Sequence, residues 1–212
     1  MKKIVLFVIA LLCFVNTCFA QAVLVGEFTI RPTGGRAGEQ RRAVFATNTG
    51  EADKLLITVG VSTDPLASIH FNSDKIDEIT QFLHQVKERF AEWKDVARRN
   101  RITSLRREMD FLSPPITVGW TDNLGRRWRA YNQELYPVFV VVDRRTMAVV
   151  VRKTVVASEN EHITQSINWM FFNEREINDL IQILDANRIR TAVEADRRSR
   201  TDREGLIDEL FR

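Results

Sequence analysis

Phe71-Asn72-Ser73-Asp74-Lys75-Ile76-Asp77-Glu78-Ile79-Thr80-Gln81-Phe82-Leu83 returns about a hundred residues later as Phe172-Asn173-Glu174-Arg175-Glu176-Ile177-Asn178-Asp179-Leu180-Ile181-Gln182-Ile183-Leu184. Set in register, Phe, Asn, Ile, Gln and Leu coincide. Each copy follows a short apolar run, Ile69 to Phe71 or Ile167 to Phe172, and opens a helix whose Asn is placed to accept backbone N–H bonds as the N-cap. Glu176 stands three residues after Asn173 and completes a capping box, whereas Lys75 holds that place in the first copy. The echo predicts two strand-then-helix units, a duplicated repeat that carries architecture and no chemistry.

Outward from the first copy, Ala22 to Ile30, Arg42 to Thr47, Leu55 to Ser62 and Leu66 to Phe71 read as strands. Arg31 to Gln40, rich in Gly, lies between the first two. It is neither a Walker loop nor a dinucleotide fingerprint, and no helix follows it to hold a phosphate, so it reads as a hairpin loop. Ile76, Ile79, Leu83, Val86, Phe90, Trp93 and Ala97 make one helical seam, predicting a helix from Ser73 to about Arg98 that lies on the first sheet. His84 sits beside that seam as a solvated or boundary residue. Arg98, Arg99, Arg101, Arg106 and Arg107 follow as a basic helix end that complements the dipole. Ile102, Leu105, Met109 and Leu112 predict a short helix, stopped by Ser113-Pro114-Pro115.

Around the second copy, Ile116 to Thr121 and Arg126 to Tyr131 flank Asp122-Asn123-Leu124-Gly125. A three-residue loop with Gly125 left-handed sets Trp120 opposite Trp128. Tyr136 to Val142 and Met147 to Val151 predict a hairpin that pairs Val142 with Met147 and is covered on both faces, because both strands are apolar on both sides. Ser158 to His162 reads as a solvated loop. One helix then carries Ile177, Leu180, Ile181, Leu184, Ile189 and Val193. Asp196 to Glu204 is charged or hydroxylic, Gly205 breaks that run, and Leu206, Ile207, Leu210 and Phe211 end the chain on one face of a short helical pattern, an apolar patch for docking or partner binding.

The expected class is therefore α+β, with two antiparallel-sheet-plus-helix units of ββββα type packed together. The expected divisions are 1–20 signal peptide, 21–101 first unit, 102–115 short helix and linker, 116–195 second unit and 196–212 tail. Lys2 and Lys3, the apolar run from Ile4 to Val15 and the Cys18-Phe19-Ala20 ending read as a secretory signal cleaved before Gln21. That assigns the chain to export, periplasmic or secreted, with lipidation at Cys18 as the alternative. Cleavage removes Cys13 and Cys18, the only cysteines, and leaves 29 basic against 28 acidic residues, net +1. A near-neutral exported chain is a poor match for nucleic acid. With 44% hydrophobic and 28% charged residues, it has the composition of a globular protein, and no second stretch is long enough to span a membrane.

The tandem layout resembles that of the Pur and whirly single-strand-binding families, and Tyr136-Pro137 before an apolar strand, a hairpin and a helix resembles the C-terminal half of thioredoxin-like proteins. Neither family's motif is present: there is no cysteine pair, and an extra strand intervenes. No family is assigned on these resemblances.

Three functional readings follow. The first is an exported, non-catalytic binding or assembly module that self-associates or takes a protein partner through Leu206, Ile207, Leu210 and Phe211. The second is a ligand-binding protein holding a glycan or single-stranded nucleic acid near Trp120, Trp128, Arg127 and Arg129. Strand alternation weakens the second, since Trp128 points opposite to Arg127 and Arg129. The third is a carboxylate-pair hydrolase. The histidines are His70, His84 and His162, and neither G-x-S-x-G nor H-E-x-x-H occurs, so no catalytic residue, metal site or cofactor is assigned.

Overall fold

The computed structural model describes residues 22–30, 40–51, 54–63 and 66–210. The expected signal peptide with both cysteines, the glycine-rich loop at 31–39, Phe211, and the side chains of Ile207 and Leu210 lie outside the described residues. A meander of β1 (Ala22–Ile30), β2 (Gln40–Asn48), β3 (Leu55–Thr63) and β4 (Leu66–Asn72) leads through a 3-10 turn at Ser73–Lys75 into α1 (Ile76–Arg99). Then come β5 (Leu105–Glu108), β6 (Ile116–Thr121), β7 (Arg127–Gln133), β8 (Tyr136–Val141), β9 (Met147–Ala157), β10 (Asn160–Phe171), α2 (Glu174–Ile183) and α3 (Ala186–Leu210).

The strands form two antiparallel sheets, one ordered β1-β2-β3-β4-β6-β7 and the other β10-β9-β8-β5, so the class is α+β. Sheet membership cuts across the division at the Pro-Pro step. The β6–β7 hairpin continues the first sheet alongside β4, with Ile69 opposite Val118 and Val118 opposite Ala130. One inward row, Val44, Val59, Ile69, Val118 and Ala130, thereby crosses five strands, and every member is at most 1% exposed. Burying each of the larger aliphatic side chains contributes about 1.5–3 kcal/mol. A single apolar core runs from this row to Phe139, Val149 and Trp169 of the second sheet, where Phe28 of β1 meets Trp169 edge-on at 6.3 Å.

The seam of α1 is buried as its spacing requires, with Ile76, Ile79, Leu83, Val86, Phe90 and Ala97 inside. Contrary to the expectation that α1 lies on the first sheet, it packs on β8 and β9 of the second, where Phe90 and Trp93 meet Phe139 at 6.0 and 5.9 Å. Lys94 pairs with Glu174 at the start of α2 at 2.6 Å, tying the two helices together. A left-handed Arg101, φ 54°, ends α1, with Ile102 N–H donating to the Ala97 carbonyl at 3.0 Å.

Four further sequence expectations are corrected. The segment expected as a short helix from Ile102 to Leu112 contains β5 instead, with Leu105 opposite Val141 and Glu108 opposite Val138. The edge of β8 needs a partner, and Met109 N–H continues the pairing to the Pro137 carbonyl at 2.9 Å. That geometry leaves Leu112 53% exposed, so the helical spacing of the four apolar residues described no common face. In the β8–β9 hairpin Met147 faces Val141, one residue from the expected register. The Asp143 carboxylate accepts N–H bonds from Arg145 and Thr146, both at 2.7 Å, and the longer loop this makes displaces the expected Val142–Met147 pairing.

The expected loop from Ser158 to His162 is the tip of a long β9–β10 hairpin, turning at Ser158–Glu159. Ser158 N–H donates to the Arg129 carbonyl at 2.7 Å and links that tip to β7. Finally, the single helix expected from Ile177 to Val193 is two helices. Asp185 separates them and caps α3 by accepting the Arg188 N–H at 2.8 Å. α3 then runs through Gly205 to Leu210, braced by the i,i+4 ion pairs Glu194–Arg198 and Asp196–Arg200.

Candidate functional site

Between α3 and the near ends of β1, β2 and β3 lies an open cleft of about 1090 Å³. Val23, Ala46, Leu55 and Ile76 line it from the body, and Ile189 and Val193 from α3. The sequence puts these apolar residues there for separate reasons: strand ends on one side, and the one docked turn of a polar helix on the other. Lys54, Arg190, Arg197 and Arg200 stand around it, with Asp74, Glu194 and Asp196 as the acidic members. Lys54 is engaged with Glu51 at 2.7 Å and Arg200 with Asp196, whereas Arg190 and Arg197 are exposed and make no ion pair among the described residues. The result is an apolar trough with free positive charge on its helix side, suited to an acidic, amphipathic occupant.

Beyond the cleft α3 leaves the body. Of its described side chains only Ile189 is buried, and those of Thr201, Asp202, Arg203, Glu204 and Leu206 are all exposed. Leu206, named from the sequence as a partner-binding residue, is 60% exposed. No helix among the described residues is long and apolar enough to cross a membrane.

The tryptophan hairpin has the geometry its loop implies: Gly125 is left-handed at φ 78°, and Trp120 pairs with Trp128. Trp120 is 4% exposed and belongs to the core, while the half-buried Trp128 packs against it. The Trp128 indole N–H donates to Asp122 at 3.0 Å, and the Arg126 guanidinium lies over its ring at 5.7 Å. That indole bond, followed by backbone N–H bonds from Arg126 and Leu124 and the Arg126 side chain, holds the Asp122 carboxyl at about 2. Arg127 and Arg129 are exposed and, by strand alternation, face away from both indoles. The structure thus brings the two tryptophans together and keeps the two arginines apart from them.

One cluster was not singled out from sequence. On the outward face of the first sheet, His70 Nδ1 lies 3.0 Å from the Thr58 hydroxyl and Nε2 lies 2.9 Å from the Ser68 hydroxyl. Burial, and secondarily the positive charge of Arg129, pushes this imidazole below its usual range. Gly119 leaves it room, since a Cβ there would stand 2.8 Å from Nε2. A Ser–His–Thr chain resembles a nucleophile and base on paper. Here the third member is a hydroxyl, and the neighbouring cation opposes the imidazolium that proton abstraction would create. The period-two spacing of Ser68 and His70 was legible; the placing of Thr58 and Gly119 beside them required the cross-strand register.

His84 is exposed, and the exposed His162 lies 3.9 Å from Glu161. No cluster of three metal-ligating side chains occurs among the described residues. No known family model, curated protein or solved structure matches the chain.

Proposed function

We propose that the protein is an exported, non-catalytic assembly module that engages its partner through α3. The observation that carries this reading is a 25-residue helix, roughly 37 Å long, that is docked through its first turns and carries exposed Leu206 near its far end. A helix that is polar all round derives little stability from its own body, so its persistence is favoured by a second surface along it. The sequence adds Ile207, Leu210 and Phe211 beside Leu206 and concentrates the tail's apolar residues at the far end. The basic start, apolar run and small-residue ending of Met1 to Ala20 support export. The surroundings of His70, two hydroxyls and a cation, support the non-catalytic part.

The test is removal of Leu206 to Arg212. The truncated chain is expected to keep its fold by circular dichroism, while its mass by light scattering falls or a cross-linked partner is lost. Unchanged mass together with an unchanged set of cross-linked species would sink the reading.

A further inference from the structure

We infer that the cleft at the root of α3 receives the distal half of α3 from a second copy of this chain, each copy filling the other's cleft. The inference rests on the assembly reading and names its partner. Charge points to it first. From Arg188 to Arg200 the helix carries five arginines against two carboxylates, net +3, whereas from Glu204 to Leu210 it carries three carboxylates and no cation, net −3. An antiparallel pair of α3 helices sets each acidic end beside the other's basic root. It also places Asp208 and Glu209, which oppose the dipole at their own helix C-terminus, near the positive N-terminal end of the partner helix.

Reach points the same way. α3 is one continuous helix, so Leu206 stands roughly 25 Å along it from Ile189, and the distal half cannot turn back into its own cleft. A second copy related by a two-fold axis presents the same cleft and the same tip, and the contact closes at two subunits. Size agrees: at about 1090 Å³ and open to solvent, the cleft stands at the upper end of the roughly 300–1,000 Å³ of ordinary small-molecule pockets and has room for apolar side chains of a helix. Its apolar lining offers a site for Leu206, which is exposed in the single chain.

The experiment uses the purified protein and two charge-reversed forms, each altered at exposed or terminal positions that leave the core alone. One carries Arg190→Glu with Arg197→Glu in the cleft; the other carries Asp208→Lys with Glu209→Lys at the tip. Light scattering and sedimentation across a concentration series are expected to give a dimer for the unaltered chain. Each reversed form by itself should dissociate at concentrations about tenfold higher or more, since four charge contacts per dimer become repulsive. An equimolar mixture of the two forms should regain the dimer, because a heterodimer has complementary charge at both contacts.

A strict monomer, indifference of either reversed form, or a mixture that stays monomeric would overturn the inference. A dimer that is lost on removing Leu206 to Arg212 yet ignores the charge reversals would remove the cleft as the docking site and leave the assembly reading standing. Mass and partners that ignore the truncation would remove the assembly reading itself.

Discussion

The two echoing segments share letters, bury the same face and begin differently. Ile76, Ile79, Phe82 and Leu83 are all within 5% exposed, and so are their counterparts Ile177, Leu180, Ile183 and Leu184. At the start, Asn173 accepts the Glu176 N–H at 3.0 Å, and the Glu176 carboxylate accepts the Phe172 N–H at 2.7 Å, so α2 is helical from Glu174. Asn72 makes no such bond. Lys75, with no acceptor to offer, pairs instead with Glu78 at 2.7 Å, and a 3-10 turn precedes the α-helix at Ile76. One side chain, Glu in one copy and Lys in the other, separates a reciprocal cap from a frayed one. Two segments of similar sequence can thus bury the same face while their local hydrogen bonding differs.

The packing half of the comparison predicts the largest effects. Ile79→Ala and Leu180→Ala, each removing a side chain at most 2% exposed, should cost about 2–5 kcal/mol apiece in urea unfolding. If one site proved nearly silent, the equivalence of the two buried faces would be broken. The capping half predicts an asymmetry of intermediate size. Asn173→Ala should lose about 0.5–2 kcal/mol, and Asn72→Ala less than about 0.5 kcal/mol. Equal losses at the two positions would mean that Asn72 caps its helix in solution after all.

The smallest effect sharpens the contrast between the strands that lead into the two copies. In register, the residue before Phe71 is the half-buried His70, whereas the residue before Phe172 is the buried Phe171, which does not titrate. The folded pKa of His70 lies below the roughly 6.5 of an unfolded chain. Between the two values the unfolded chain binds more protons, so stability rises with pH. The contribution is fully present above about 6.5 and is lost as pH falls toward the folded value. Unfolding free energy should therefore drop between pH 7.5 and pH 5, and His70→Gln should flatten that part of the profile. A variant with an unaltered profile would assign the acid sensitivity elsewhere.

Strands β1 to β4, the seam of α1 and the tryptophan pairing were legible because each rests on a local period or a turn residue with a definite requirement, such as left-handed Gly125. β5 was not, because the apolar spacing of Ile102, Leu105, Met109 and Leu112 fits a helix, and only the unpaired edge of β8 overrides it. The β8–β9 register slipped by one because Asp143 gathers N–H groups into a longer loop than the flanking valines suggest. The apolar tip at Leu206 was visible as a candidate surface. Its candidate receptor was not, since Val23, Ala46, Leu55, Ile76 and Ile189 come from five separate elements.

From the sequence alone come the α+β class, the buried faces of α1 and α2 and the cap at Asn173, all set by interactions within a few residues of one another. Tertiary structure alone decides that the β6–β7 hairpin extends the first sheet, that a basic linker becomes an edge strand, and that α3 overhangs a charged cleft. Those outcomes depend on which backbone edges and apolar faces remain unsatisfied once the local elements exist, and that accounting closes only when the whole chain is packed.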